Sequence, residues 1–359
     1  MSDPDAIKNN TTPHHPEPQQ NTKHLINEDN LINADHFIAS TEQEGITLRL
    51  RERVVTPSAA SVQAAVPLLM VHGATIPSVL WDHPIAQWSW MNRLAMQGIH
   101  VYALDIRGYG GSTRPPVMAA LDPENFEPYA RAADVQQDVM DAIAFIKKRH
   151  DIDTVDLLGG SWGSIICGLF ASSQLARHIR RLVLYAPIYN EGHTKTSWWH
   201  GAVDPNNKDQ INPKLGAYRW TGHNSLLDRW DEEIPHVDKT LWRSDEVLNA
   251  LFEACLKEDP AAQNKQPPSF RAPNGTLVDL FAAYTGRPVF DAKRIQTPTL
   301  LVRGDHDETS SRIGASRLFD EISAKHKVCV EVGNGAHFVI LEHQWQPVHL
   351  AVTRFLTSP

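Results

Sequence analysis

An apolar strand, Val155-Asp156-Leu157-Leu158, runs into Gly159-Gly160-Ser161-Trp162-Gly163-Ser164 and straight out into an apolar helix from Ile165 to Phe170. This Gly-x-Ser-x-Gly junction limits what the chain can fold into more than any other stretch. A serine in so tight a strand-to-helix turn takes strained backbone angles, and Gly159 and Gly163 stand where a side chain would collide with the neighbouring strand or helix. The strain lifts the Ser161 hydroxyl out of the carboxyl end of a sheet. There the helix N-terminus, led by the Trp162 N–H, directs partial positive charge at any oxyanion forming beside the hydroxyl.

The flanking sequence supplies the sheet. Pro67 to Val71, ending in His72-Gly73, and Ile99 to Asp105 are short apolar runs expected of strands buried on both faces. Arg181 to Pro187, Pro298 to Gly304 and Lys327 to Val332 continue the series. Phe37-Ile38 and Ile46 to Leu50 read as two antiparallel edge strands. Helices are expected over Pro84 to Met96, Tyr129 to His150, Ser311 to Lys325 and Gln344 to Leu356, the second with Val135, Val139, Ala142, Ile143 and Ile146 on one stripe. Strand and helix alternate on both sides of residues 188–290, which predicts one mostly parallel α/β sheet assembled from 36–187 and 291–359. Residues 188–290 lack strand patterning and read as an inserted helical cap. They carry Trp198, Trp199, Trp220, Trp230 and Trp242.

Residues 1–35 have too few large apolar side chains to offset the entropy of ordering, so a flexible tail is expected, with His14-His15 solvated. That tail has no apolar signal segment, and no run reaches the eighteen or so apolar residues of a spanning helix. Cys167, Cys255 and Cys329 are odd in number and widely spaced, as buried thiols of a reducing compartment would be. These features predict a cytoplasmic protein with no membrane partner. The net charge of −8, without clustered Lys and Arg, argues against nucleic acid.

A serine hydroxyl is a weak nucleophile near neutral pH and needs a base, which in turn needs an orienting group. In an open α/β sheet such groups converge on the loops past the carboxyl ends of strands. Two loops qualify: Arg303-Gly304-Asp305-His306-Asp307-Glu308, where Asp307 is preferred and Asp305 held in reserve, and Asn334-Gly335-Ala336-His337-Phe338. The loop His72-Gly73-Ala74-Thr75 lies beside the elbow, so the Ala74 N–H can join that of Trp162 in holding an oxyanion. No metal or organic cofactor is expected. The glycine cluster after Asp105 lacks the third glycine and the following helix of a dinucleotide loop.

In order along 36–359, the His72-Gly73 loop, Asp105-x-Arg107-Gly108-x-Gly110-x-Ser112, the elbow at Ser161, Asp307 and His337 resemble the motifs of the α/β-hydrolase fold superfamily. The resemblance implies a serine hydrolase acting on a small-molecule ester or related acyl bond through a Ser161–His337–Asp307 triad. Trp198, Trp199 and Trp230 are candidate walls of an aromatic pocket, with core packing of the cap as the alternative. The elbow is also similar to that of the proline iminopeptidase group, whose lid carboxylates hold a substrate amine; Asp231-Glu232-Glu233 stand where they could imitate this. That group's His-Gly-Gly-Pro-Gly loop is replaced here by His72-Gly73-Ala74-Thr75-Ile76-Pro77. Carbon–carbon bond hydrolysis uses the same triad, and a binding protein without turnover is the reading from another class. The serine excludes relatives that place an aspartate nucleophile at the elbow.

Overall fold

The computed structural model describes residues 30–55, 66–192, 196 and 199–358. The expected tail up to residue 29, including His14-His15, and Trp198 lie outside the described residues.

Strands β1 (Leu31–Ala39), β2 (Thr47–Val55), β3 (Leu68–Val71), β4 (Val101–Leu104), β5 (Val155–Gly160), β6 (Ile179–Tyr185), β11 (Thr299–Gly304) and β12 (Lys327–Val332) form one sheet in the order β1-β2-β4-β3-β5-β6-β11-β12. The strands from β4 to β12 pair in parallel; β1 and β2 are antiparallel to their neighbours. Two strand features differ from the sequence reading. β1 begins at Leu31, ahead of residue 36, because nine residues register against β2. β2 is interior, since Leu50 to Arg53 also pair with β4.

Period-two geometry explains why the strands read as unbroken apolar runs. Leu69, Val71, Leu157, Leu182, Leu184 and Leu301 project into one buried layer, while Leu68, Met70, Leu158, Val183, Leu300 and Val302 project into the other. The first layer is closed by α2 (Gln136–His150) and α3 (Trp162–Ala171), the second by α1 (Trp90–Ala95) and α8 (Trp345–Thr357). Helix α7 (Arg312–Glu321) follows β11. Helix α2 starts seven residues later than the periodicity predicts. The Ala132 N–H is bound by the Asp279 carboxylate at 2.6 Å instead of by helix, and Ala130 sits at φ 60°.

Between β6 and β11 the chain makes β7 (Val203–Asp204), β8 (Asn207–Ile211), β9 (Tyr218–Gly222), α4 (His223–Asp231), α5 (Asp245–Lys257), β10 (Ser269–Pro273) and α6 (Gly275–Tyr284). The short strands correct the expectation of a strandless insertion. β9 pairs with β10 across 46 intervening residues (223–268), a separation that local patterning does not reveal. The insertion also divides in its packing. Leu277, Leu280 and Phe281 of α6 join the core layer of α3, whereas Leu226 and Trp230 of α4 and Leu251 of α5 join the opposite layer.

Cys167 and Cys255 are buried as expected, but Cys329 is exposed because β12 is an edge strand. No helix among the described residues is long and apolar enough to cross a membrane.

Candidate active site

Strand order reverses at β3: the chain steps from β3 to β4 on one side, then returns to place β5 on the other. Loops leaving β3 and β5 therefore open side by side at the carboxyl edge, where Val71 pairs with Gly159. Ser161 occupies φ 56° and ψ −123°, a left-handed conformation that an L-residue holds only under constraint. The constraint is close packing. A Cβ on Gly159 would lie 2.2 Å from the Gly163 carbonyl oxygen, and one on Gly163 would lie 2.4 Å from that of Val71. Gly163→Ala is expected to cost roughly 1–3 kcal/mol of stability and to shift the serine, as other overpacked sites do. A thermal melt checks this; an unchanged melting temperature would mean that the turn has room to spare.

The three distant segments meet. Asp307, three residues past β11, and His337, five past β12, lie with His337 Nδ1 2.9 Å from Asp307 Oδ1 and His337 Nε2 2.9 Å from Ser161 Oγ. The Nδ1–H donates to the carboxylate, which leaves Nε2 to accept the serine proton. Burial opposes the Asp307 charge, yet the His337 and Arg303 side chains and the Ser310 N–H hold its carboxyl below the ordinary range. Arg303 also donates to the carbonyls of Asp307 and Ser310, fixing the loop. The Tyr185 hydroxyl, kept protonated by burial, donates to the His337 carbonyl at 2.6 Å. Asp305, the reserve acid, accepts from the Gly335 N–H at 3.1 Å and so supports the histidine loop from outside the relay.

The loop after β3 is held from both sides. His72 Nδ1 donates to the Gly73 carbonyl at 2.9 Å while Nε2 accepts from the Ile106 N–H at 3.2 Å. Burial lowers the affinity of that imidazole for a second proton. A peptide carbonyl and the N–H that follows point in opposite directions, so pinning the Gly73 carbonyl orients the Ala74 N–H away from His72. The Ala74 carbonyl accepts from Tyr109 at 2.7 Å and from Arg219 at 2.9 Å. Trp162 is the first residue of α3, so its N–H has no helical acceptor; its indole donates to Asp279 at 3.0 Å.

Ser161, His337 and Ala74 open into a cavity of about 510 Å³. Among the described residues its aromatic walls are Trp81, Tyr185, Trp220 and Phe338, and neither Trp199 nor Trp230 lines it. Trp199 is buried beside Tyr284, ring centroids 4.9 Å apart, in the layer of α3 and α6. Trp230 packs behind Phe338 at 4.9 Å and donates to Glu342 at 3.2 Å, one layer back from the cavity. Position in the sequence does not reveal which tryptophan of a helical segment faces inward. The acidic triplet also divides: Asp231 pairs with Arg243 at 2.7 Å, Glu233 is buried against Arg229 at 2.8 Å, and only Glu232 lines the cavity, with Asp228.

Glu342 accepts from the Ala336 N–H, and burial, with the Asp307 and Glu233 charges nearby, pushes its pKa up to about 8. Burial likewise raises Glu191 to about 7. A carboxyl whose folded value lies above its unfolded one favours folding at acid pH and loses that contribution as pH rises through the folded value. These two carboxyls are therefore expected to pull the melting temperature down between about pH 5 and 8, against the buried imidazoles of His72 and His83, whose lowered values act the other way; Asp307, with its lowered value, stays ionised there. Glu342→Gln and Glu191→Gln should each lessen the fall, and a pH profile of melting temperature unchanged in both would contradict these two assignments.

The alpha/beta hydrolase fold family model matches residues 66–344. No curated protein matches the chain in sequence. Among solved structures, the thioesterase domain from the curacin biosynthetic pathway is similar at 16% identity and TM-score 0.56, covering 91% of this chain and 100% of that one. An esterase from Thermogutta terrifontis is similar at 16% identity and TM-score 0.55, with coverage of 90% and 98%. A meta-cleavage product hydrolase from Pseudomonas fluorescens IP01 is similar at 17% identity and TM-score 0.55, with coverage of 89% and 96%. At such identities these structures share the fold alone. The family match spans most of the chain, and the chain belongs to the alpha/beta hydrolase fold family.

Proposed function

We propose that this chain is a serine hydrolase that cleaves a carboxylic ester, or a related acyl bond, of a small molecule with an apolar or aromatic part. The observation that carries the reading is the unbroken relay from Asp307 through His337 to Ser161, with the serine at the floor of a cavity. Ile76, Leu80, Trp81, Leu226 and Ile340 on the cavity wall support an apolar substrate portion.

Ser161 Oγ attacks the carbonyl carbon as His337 Nε2 takes its proton, and Asp307 stabilises the imidazolium. The N–H groups of Ala74 and Trp162 receive the oxyanion. His337 then protonates the departing alcohol, leaving an acyl-serine. Water activated by the same imidazole releases the acid and restores the serine. The insertion expected over 188–290 serves as the cap through its part 203–273, since α6 joins the core, and the free thiols fit a reducing cytoplasm.

A second reading, an aminopeptidase, draws on Asp228 and Glu232, two carboxylates on the cavity wall that could receive a free amine. Purified protein assayed on p-nitrophenyl butyrate and on proline 2-naphthylamide separates the two. The ester is expected to be turned over with the higher kcat/KM. A preference for the amide would favour the aminopeptidase, and inertness toward both would overturn the two readings together.

A further inference from the structure

Arg219, on β9, lines the same cavity, and its guanidinium is spent on uncharged acceptors. Nη1 donates to the Pro273 carbonyl at 2.9 Å and to Asn274 Oδ1 at 3.1 Å. Nη2 donates to the Ala74 carbonyl at 2.9 Å and to Thr75 Oγ1 at 2.7 Å. Among the described residues no carboxylate pairs with it, and the Nε–H has no protein acceptor. Three buried arginines keep an acid: Arg49 meets Asp105 at 2.6 Å, Arg107 meets Asp138 at 2.6 Å, and Arg271 meets Asp259 at 2.5 Å. Arg93, which has none among the described residues, is stacked on Trp345 away from the cavity, whereas Arg219 is half-buried on the cavity wall. Arg229, on the same cavity wall, is balanced by Glu233. Burial disfavours the Arg219 charge.

A cation taken from water and left without a counter-charge is costly, and a charge-assisted contact with an anion relieves that cost. We propose that the substrate carries a carboxylate, which Arg219 receives beside the Ala74-Thr75 loop while Ser161 attacks the acyl carbon. This rests on the hydrolase reading and names its substrate class. One guanidinium balances a carboxylate monoanion; a phosphate dianion would leave charge over. Asp228 and Glu232 do not supply the counter-charge. Asp228 on α4 and Glu232 just past its end are both exposed, where solvent and salt screen them.

The test is the ratio of kcat/KM for a carboxylate ester to that of its methylated, neutral twin. One pair, mono-4-nitrophenyl adipate and 4-nitrophenyl methyl adipate, carries the charge on the acyl side. The other, 4-acetoxybenzoate and its methyl ester, carries it on the leaving group. The natural protein should prefer the charged member of one pair by about ten- to a hundredfold, the range for a hydrogen bond to a charged group. Arg219→Gln should bring that ratio to one or below, and Arg219→Lys should keep part of it. Two results overturn the inference: neutral members used equally or better in both pairs, or Arg219→Gln slowing charged and neutral members alike, as a mere brace of the oxyanion loop would. Neither depends on the hydrolase reading failing. That failure shows separately, as no turnover of any of the four esters and no labelling of Ser161 by a fluorophosphonate.

Discussion

Ser161→Ala is expected to reduce hydrolysis of p-nitrophenyl butyrate by on the order of 10⁴ or more, while the melting temperature stays close to that of the natural protein. The size follows from the loss of the covalent route. What remains is water attack assisted by the backbone N–H donors and binding, which act whether or not the hydroxyl is present. The fold should persist because the constraints on residue 161 are set by its neighbours, Gly159 and Gly163, and by its N–H bond to the Tyr185 carbonyl at 2.9 Å. A variant within tenfold of normal turnover would place the nucleophile elsewhere.

Asp307→Asn should lower kcat by about 10⁴, the loss seen when a triad carboxylate is neutralised in place. Asn has nearly the same shape, so the effect reports charge and tautomer control. The Oδ1 that receives His337 Nδ1 also receives the Ser310 N–H at 2.8 Å, so the loop is tied to the same atom. Asp305→Asn is the control. Asp305 meets the Gly335 N–H and reaches the histidine only through the loop it supports, so its neutralisation should cost less than about tenfold, as an exposed-side hydrogen bond does. The reverse order of severity would make Asp305 the orienting acid.

The residues of the relay were legible because each stands where chain geometry is tight. Gly159 and Gly163 flank a conformation that few sequences allow, and Asp307 and His337 follow apolar strands whose ends point at one edge of the sheet. The core was legible for the same reason: β3, β5, β6 and β11 carry apolar residues on both faces, which only a sheet covered on both sides requires. The cavity walls were not. Which of Trp199, Trp220 and Trp230 faces the serine depends on the pairing of β9 with β10 and on the seat of α4, contacts set by tertiary packing and not by local period. Arg219 was hidden in the same way. Its meaning comes from an absent counter-charge, which a sequence containing 42 acidic residues does not disclose.

The most direct test of the account is covalent labelling with a fluorophosphonate, followed by mass spectrometry of the digested protein. A single adduct on the peptide bearing Ser161, lost in Ser161→Ala and strongly slowed in an otherwise folded His337→Ala, is the predicted result. An unlabelled folded protein, or an adduct on a residue other than Ser161, would contradict it.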